Sequence, residues 1–197
     1  MLKRKYGKIE WWRGTTDEVM IGAILTQQTR WENVEKAIHR LRKQNLCSMA
    51  AIDSTEWNNL EKTIKSTGFY RIKAARLKSL ASHVLEKYGG IERMAQQSTN
   101  NLRENLLGVY GIGEETADSI LCYGFSRPCF VIDAYTKQIC RCAGATMESS
   151  ALKTEFEKVL PQDFAVYQQV HAHIVEYAKE YCVKKRCNEC KIPTLNG

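Results

Sequence analysis

Only three prolines interrupt the 197 residues, and β-branched runs are scarce, so little in the chain breaks a helix or favours a sheet. No apolar run approaches the ~20 residues that cross a bilayer. The opening MLKRKYGKIEWW also lacks the apolar stretch of a secretory leader. Together these absences argue against a membrane partner and for a cytoplasmic protein. There is no internal repeat and no low-complexity linker, so the chain reads as a compact α-protein of about ten helices. Its length suits one large domain or two small ones sharing an interface. Acidic residues are the minority, 22 Asp and Glu against 29 Lys and Arg, a formal net charge of +7. That excess suits a polyanionic partner without requiring one. The eight cysteines of a cytosolic chain should be reduced or metal-bound, not paired.

Apolar residues recur at helical spacing. TTDEVMIGAILTQQT carries Val19, Met20, Ala23 and Ile24 behind a cap-like Thr15 or Thr16, and WENVEKAIHRLRKQ repeats the pattern with Val34, Ala37, Ile38 and Leu41. STEWNNLEKTIKSTGF should end at Gly68, and RIKAARLKSLASHVLEKYGG at Gly89–Gly90. After Pro128, CFVIDAYTKQICRCAG begins extended and should turn helical at Asp133. Two further helices are expected in SALKTEFEKVL and YQQVHAHIVEYAKEYC.

The stretch GVYGIGEETADSIL, residues 108–121, places three glycines in front of a helix. Gly111 and Gly113 can take positive φ where another residue would lose ~1–2 kcal/mol. Ile112 between them should point inward and pin the turn. The arrangement leaves amides at the start of the second helix free for a phosphate oxygen, a helix-hairpin-helix grip on a backbone that reads no bases. An ordinary helix corner with glycine caps would show the same residues.

GIGEETAD followed by FVIDAYTKQI resembles the signature of the endonuclease III superfamily of DNA glycosylases, and the likeness runs from GAILTQQTRWENVEKA to the terminal cysteines. Within it the chain is most similar to the 3-methyladenine DNA glycosylase III branch. The resemblance implies an all-α fold of two helical domains: a six-helix barrel with the helix-hairpin-helix, expected over 17–127, and a domain from both termini, 1–16 and 128–197, with a Cys-rich loop over 182–197. It places the DNA cleft between them.

On that resemblance Asp133 is the catalytic carboxylate, stabilising oxocarbenium-like charge and orienting water; it can cap a helix at the same time. Bifunctional members attack the sugar with a lysine two residues past the last hairpin glycine. Here that position is Glu115, which forms no imine, so simple hydrolysis to an abasic site is implied. Glu115 itself is either a pocket acceptor for a damaged purine or a solvated first-turn residue. Gly111, Ile112 and Gly113 would grip the backbone, with Lys137 a phosphate contact, and Gln28 would fill the gap left by the flipped base. Trp11, Trp12 and Trp31 resemble the aromatic pocket of the branch, suited to a base made cationic by alkylation. His173 falls on a helix that the family places near the pocket.

CVKKRCNEC sets Cys182, Cys187 and Cys190 among basic residues and resembles the superfamily's loop for a 4Fe–4S cluster. The first gap is shorter than the family's, and no fourth cysteine follows before Gly197, so either the last ligand lies outside this sequence or the cluster is degenerate. Zinc is the chemical alternative. A cluster would set Lys184, Lys185 and Arg186 against phosphates, and none is needed for the chemistry. Cys122, Cys129, Cys140 and Cys142 sit in apolar contexts and read as buried thiols. The expectation is a monomeric, monofunctional glycosylase of base excision repair acting on alkylated purines in double-stranded DNA, with an AP endonuclease downstream. A bifunctional enzyme for oxidised pyrimidines and a non-catalytic DNA-binding module are the alternatives.

Overall fold

A computed structural model describes residues 2–12 and 14–192; 193–197, the end of the expected cysteine loop, lie outside the described residues. Every regular element among the described residues is helical. In chain order these are α1 (Leu2–Tyr6), α2 (Thr16–Leu25), α3 (Trp31–Lys43), α4 (Met49–Ser54), α5 (Trp57–Thr63), α6 (Tyr70–Tyr88), α7 (Ile91–Met94), α8 (Thr99–Leu107), α9 (Glu114–Ser119), α10 (Ala134–Cys142), α11 (Ser149–Val159) and α12 (Phe164–Ala178). Two π-helical turns, Ile120–Gly124 and Lys179–Val183, extend α9 and α12. No helix among the described residues is long and apolar enough to cross a membrane. The chain forms two compact units, one of Trp12–Phe125 and one of Met1–Trp11 with Ser126–Gly197.

The unit of α2 to α9 is built around α2. Thr15 starts that helix with a capping box: its hydroxyl accepts from the Glu18 amide at 3.3 Å, and the Glu18 carboxylate accepts from the Thr15 amide at 3.1 Å. From Val19 to Leu25 every residue is buried, the mark of a helix surrounded by others. It packs against α3, α6, α9 and the turn after α9. The long α6 ends where Gly89 takes φ +71° and returns its amide to Leu85 O at 2.8 Å. Lys73 of α6 is buried, and its ammonium donates to Leu25 O at 2.7 Å and Thr67 O at 2.9 Å. One carbonyl closes α2 and the other lies just before Gly68, so a single cation ties two loop starts together. Burial, helped by the Arg76 charge, pushes the Lys73 pKa down to about 8.

In the other unit Phe130 stacks on Phe156 with ring centres 4.2 Å apart and meets Tyr167 edge-on. The N-terminal segment is fastened to α12 and the turn after it. Lys5 Nζ donates to Glu180 at 2.8 Å and to the Tyr181 hydroxyl at 2.6 Å, and Gln169 pairs with both the amide and the carbonyl of Ile9.

Candidate active site

The hairpin between α8 and α9 turns at Gly111, with φ +82°, while Gly113 is extended at φ −98°, ψ −178° and is the N-cap of α9. The expectation of positive φ at both glycines is therefore corrected: only Gly111 needs it, because Gly113 only has to lead straight into the helix. Ile112 is buried at 6 % exposure. Gln27, a residue that sequence patterning passed over, braces the turn. Its amide donates to Gly111 O at 2.9 Å and Thr116 Oγ1 at 3.1 Å, and its oxygen accepts from Arg76. Beneath the turn, Arg103 holds the buried Asp118 with two bonds of 2.8 and 3.2 Å and reaches Glu114 at 3.5 Å. Gly113 offers α9 no side-chain cap, and Gly113, Glu114 and Glu115 are exposed there.

The two glycines should respond differently to alanine. A Cβ on Gly111 would run into the Arg76 side chain and hold a strained φ, whereas one on Gly113 meets nothing within 4 Å. Gly111→Ala should lower stability by ~1–2 kcal/mol in urea unfolding. Gly113→Ala should leave stability unchanged and weaken binding to all duplexes alike, because a methyl there obstructs only the approach of a backbone. A sequence-dependent loss in Gly113→Ala would contradict the clamp.

The aromatic residues fall into separate neighbourhoods. Trp12, with φ +50°, stacks between Trp31 at 5.5 Å and Tyr123 at 5.6 Å. Its ring also lies against Gly22, where an added Cβ would sit 3.6 Å away. Trp31 is 36 % exposed and its indole donates to Glu35 at 2.9 Å. Tyr123, carried by the π-helical turn after α9, was not foreseen. Trp11 belongs to the other unit, where it meets His171 edge-on at 5.6 Å and lies under the Lys179 ammonium. His173, two residues after His171, donates from Nε2 to Gly7 O at 2.7 Å and faces Tyr6. The structure thus gives His173 to the N-terminal segment and brings His171 to the carboxylate.

That carboxylate is Asp133, the N-cap of α10. One oxygen accepts from the Thr136 amide at 2.7 Å, and the other lies 3.5 Å from His171 Nε2. Burial by itself pushes this carboxyl up, but the hydrogen bond and charge of His171, together with the Thr136 amide, outweigh it and hold the group below the usual carboxylate range. Asp133 is therefore a fixed anion, 15 % exposed. Lys137, one turn on, is exposed.

Two loops of the Trp12–Phe125 unit carry strained, exposed residues: Gln28 at φ +53° and Phe69 at φ +45° with 62 % exposure. Left-handed backbone at bulky residues persists only where its surroundings enforce it, and Lys73 bonds the chain just before both. Sequence reading had found Gln28 but not Phe69. Among the cysteines, Cys182 and Cys190 are half-buried and Cys187 is exposed. The Tyr177 hydroxyl donates to Cys190 Sγ at 3.4 Å and accepts from the Lys191 amide at 2.7 Å. Lys184 and Lys185 are exposed, but Arg186 is engaged by Glu189 at 2.8 and 2.5 Å and lies over Tyr181. Cys122, Cys129 and Cys140 are buried as expected; Cys142 is not, because it lies on the outward side of the last turn of α10.

Residues 21–162 match the HhH-GPD superfamily of base excision DNA repair proteins. The chain belongs to that superfamily. A Methanocaldococcus jannaschii protein provisionally named a DNA repair glycosylase is 43 % identical over 194 residues, 95 % of this chain and 88 % of that one. Endonuclease III of Thermotoga maritima is 30 % identical over 87 % of this chain and 78 % of its own length. Among solved structures, 3-methyladenine DNA glycosylase of H. pylori, bound to 1,N6-ethenoadenine, superposes with a TM-score of 0.81 at 29 % identity, covering 91 % of this chain and 92 % of that one. A non-covalent endonuclease III–DNA complex gives 0.81 at 19 % identity, covering 97 % and 88 %, a likeness of fold. As an HhH-GPD protein the chain is a DNA-binding glycosylase of base excision repair.

Proposed function

We propose that this HhH-GPD glycosylase is monofunctional and removes alkylated purines, such as 3-methyladenine, from double-stranded DNA, leaving an abasic site. The observation that carries the lesion class is the stack of Trp12, Trp31 and Tyr123 with its exposed Trp31 rim. Electron-rich faces attract a purine made cationic by alkylation more than a neutral oxidised pyrimidine, and stacking is worth ~1–3 kcal/mol per base. The H. pylori relative, named for 3-methyladenine and holding an ethenoadenine, supports the same class.

The steps follow from the residues. Exposed α9 amides and the hairpin grip phosphate, with Lys137, Lys184 and Lys185 as further contacts. Gln28 and Phe69, pushed outward by their backbones, enter the duplex and fill the space of the extruded base. Asp133, kept ionised, faces the positive charge that grows on the sugar as the glycosidic bond breaks and holds the attacking water. Glu115 has no amine with which to form an imine; exposed in the first turn of α9, its negative charge favours the helix dipole. The enzyme acts as a monomer, and its abasic product passes to an AP endonuclease.

The test is a panel of duplexes, each with one defined lesion, run with borohydride present. Base release should be fastest from alkylated purines, with no trapped protein–DNA adduct, and binding should weaken with a log–log salt slope of about −0.9 per phosphate neutralised. Trapping, with turnover of oxidised pyrimidines, would favour the bifunctional reading. Binding without any turnover would leave a DNA-binding module only.

A further inference from the structure

Gln27 and Gln28 are the two central residues of a turn, Thr26 to Thr29, closed by the Thr29 amide on Thr26 O at 3.1 Å. Gln28 stands third in it, where several turn types require positive φ; it takes +53° and is exposed. Gln27, second in the turn, is half-buried and turns its side chain to an element 84 residues along the chain. Nε2 donates to Gly111 O at 2.9 Å and to Thr116 Oγ1 at 3.1 Å, while Oε1 accepts from the Arg76 guanidinium. A primary amide has two N–H donors and one acceptor oxygen, so the whole group is in use.

The two acceptors flank the amides that the hairpin offers. Gly111 O belongs to its turn, and Thr116 lies in the first turn of α9. A carbonyl in a half-exposed turn can be satisfied by water, so Gly111 O alone does not call for a side chain from the end of α2. What such a side chain adds is a fixed distance between the hairpin and the Thr26–Thr29 turn. Arg76 stiffens the link from below. Its stem fills the space that a Cβ on Gly111 would take, and its charge strengthens the bond to the Gln27 oxygen.

We propose that Gln27 couples the backbone grip of the hairpin to the insertion of Gln28. The inference rests on the reading above, in which the hairpin holds phosphate and Gln28 enters the duplex. A phosphate docked on the α9 amides fixes Gly111 and Thr116 in one arrangement. Gln27 bonds both only in that arrangement, and it then holds its own turn with Gln28 outward. Insertion is favoured where the backbone is already gripped, and by reciprocity an inserted Gln28 tightens the grip. Gln27 is thus a positioning residue that acts through Gly111 and Gln28.

The probe is a duplex with a tetrahydrofuran abasic site, which no glycosylase can cleave, beside a 2-aminopurine that brightens when unstacked. Anisotropy gives affinity, and fluorescence at saturating protein gives insertion. Gln28→Ala should bind and lose most of the signal. Gln27→Leu should lower insertion by about tenfold, the worth of one or two net hydrogen bonds, with far less effect on affinity for undamaged duplex. A merely structural residue could do the same, so a cycle with Gly113→Ala decides. With Gln27 present, Gly113→Ala should lower insertion at saturation by about fivefold or more. In the Gln27→Leu background it should change affinity alone. An equal fall in both backgrounds, or none in either, would overturn the coupling while leaving the clamp and Gln28 in place. Unchanged signal in Gln28→Ala would instead remove the reading of Gln28, and the coupling with it. Should Gln27→Leu fail to fold, Gln27→Glu takes its place in the cycle. Its carboxylate still accepts from Arg76 but donates nothing to Gly111 O or Thr116, so the same outcomes decide.

Discussion

Asp133→Asn should lose about 100- to 10,000-fold in single-turnover base release and keep its affinity for DNA. Asparagine is as good an N-cap as aspartate, so the bond from the Thr136 amide and the start of α10 should survive, and the melting temperature with them. What disappears is the negative charge opposite the developing sugar cation. The native carboxyl is held below the ordinary range, and this fixes the pH behaviour. A group whose folded pKa is depressed contributes stability that is complete above its unfolded pKa and lost as pH falls through the folded value. Base release that depends on ionised Asp133 should therefore persist through weakly acid pH and fall only below the usual carboxylate range. A near-normal rate in Asp133→Asn would end the assignment. A rate lost together with folding would show a cap and nothing more.

Arg103→Met should destabilise the chain by ~3–5 kcal/mol, because it removes the guanidinium that compensates the buried Asp118 carboxylate. Asp118 is 3 % exposed and receives both prongs of the guanidinium. The pair joins α8 to α9 directly under the hairpin, so its loss should also loosen the backbone grip. The double variant Arg103→Met, Asp118→Leu removes both charges and should recover most of the stability. Urea unfolding of the four proteins of this cycle gives the coupling directly. Equal losses in the single and double variants would mean that the pair carries no specific charge compensation.

Local signals in the chain were legible wherever a residue's role depends on its immediate neighbours. Thr15 before Asp17 and Glu18, Gly89 after α6 and Asp133 before α10 all mark helix ends that the structure shows. What could not be read were roles decided by partners far along the chain. Gln27 and Gln28 are adjacent and chemically identical, yet one is turned inward to the hairpin by Arg76 and Thr116 while the other takes a left-handed backbone into solvent. His171 and His173 share one helix, and only the packing of α10 and of the N-terminal segment separates their surroundings. Cys140 and Cys142 differ by little more than half a turn, so an apolar context in sequence could not tell the buried thiol from the exposed one. Tyr123 gains its place because the helix widens after Ser119, an irregularity that no periodicity announces.

Lys73 bonds the carbonyl ahead of the Gln28 loop and the carbonyl ahead of the Phe69 loop with the same ammonium. Mechanically, this makes the two loops jaws on one pivot. Neither can advance or retreat far without straining a bond that the other shares, so resistance met at one tip is transmitted to its counterpart. On the reading given above, the enzyme would probe a base pair with both side chains at once, and a partial strike would be returned elastically. The spacing of the tips would then be set by a side chain buried behind both loops.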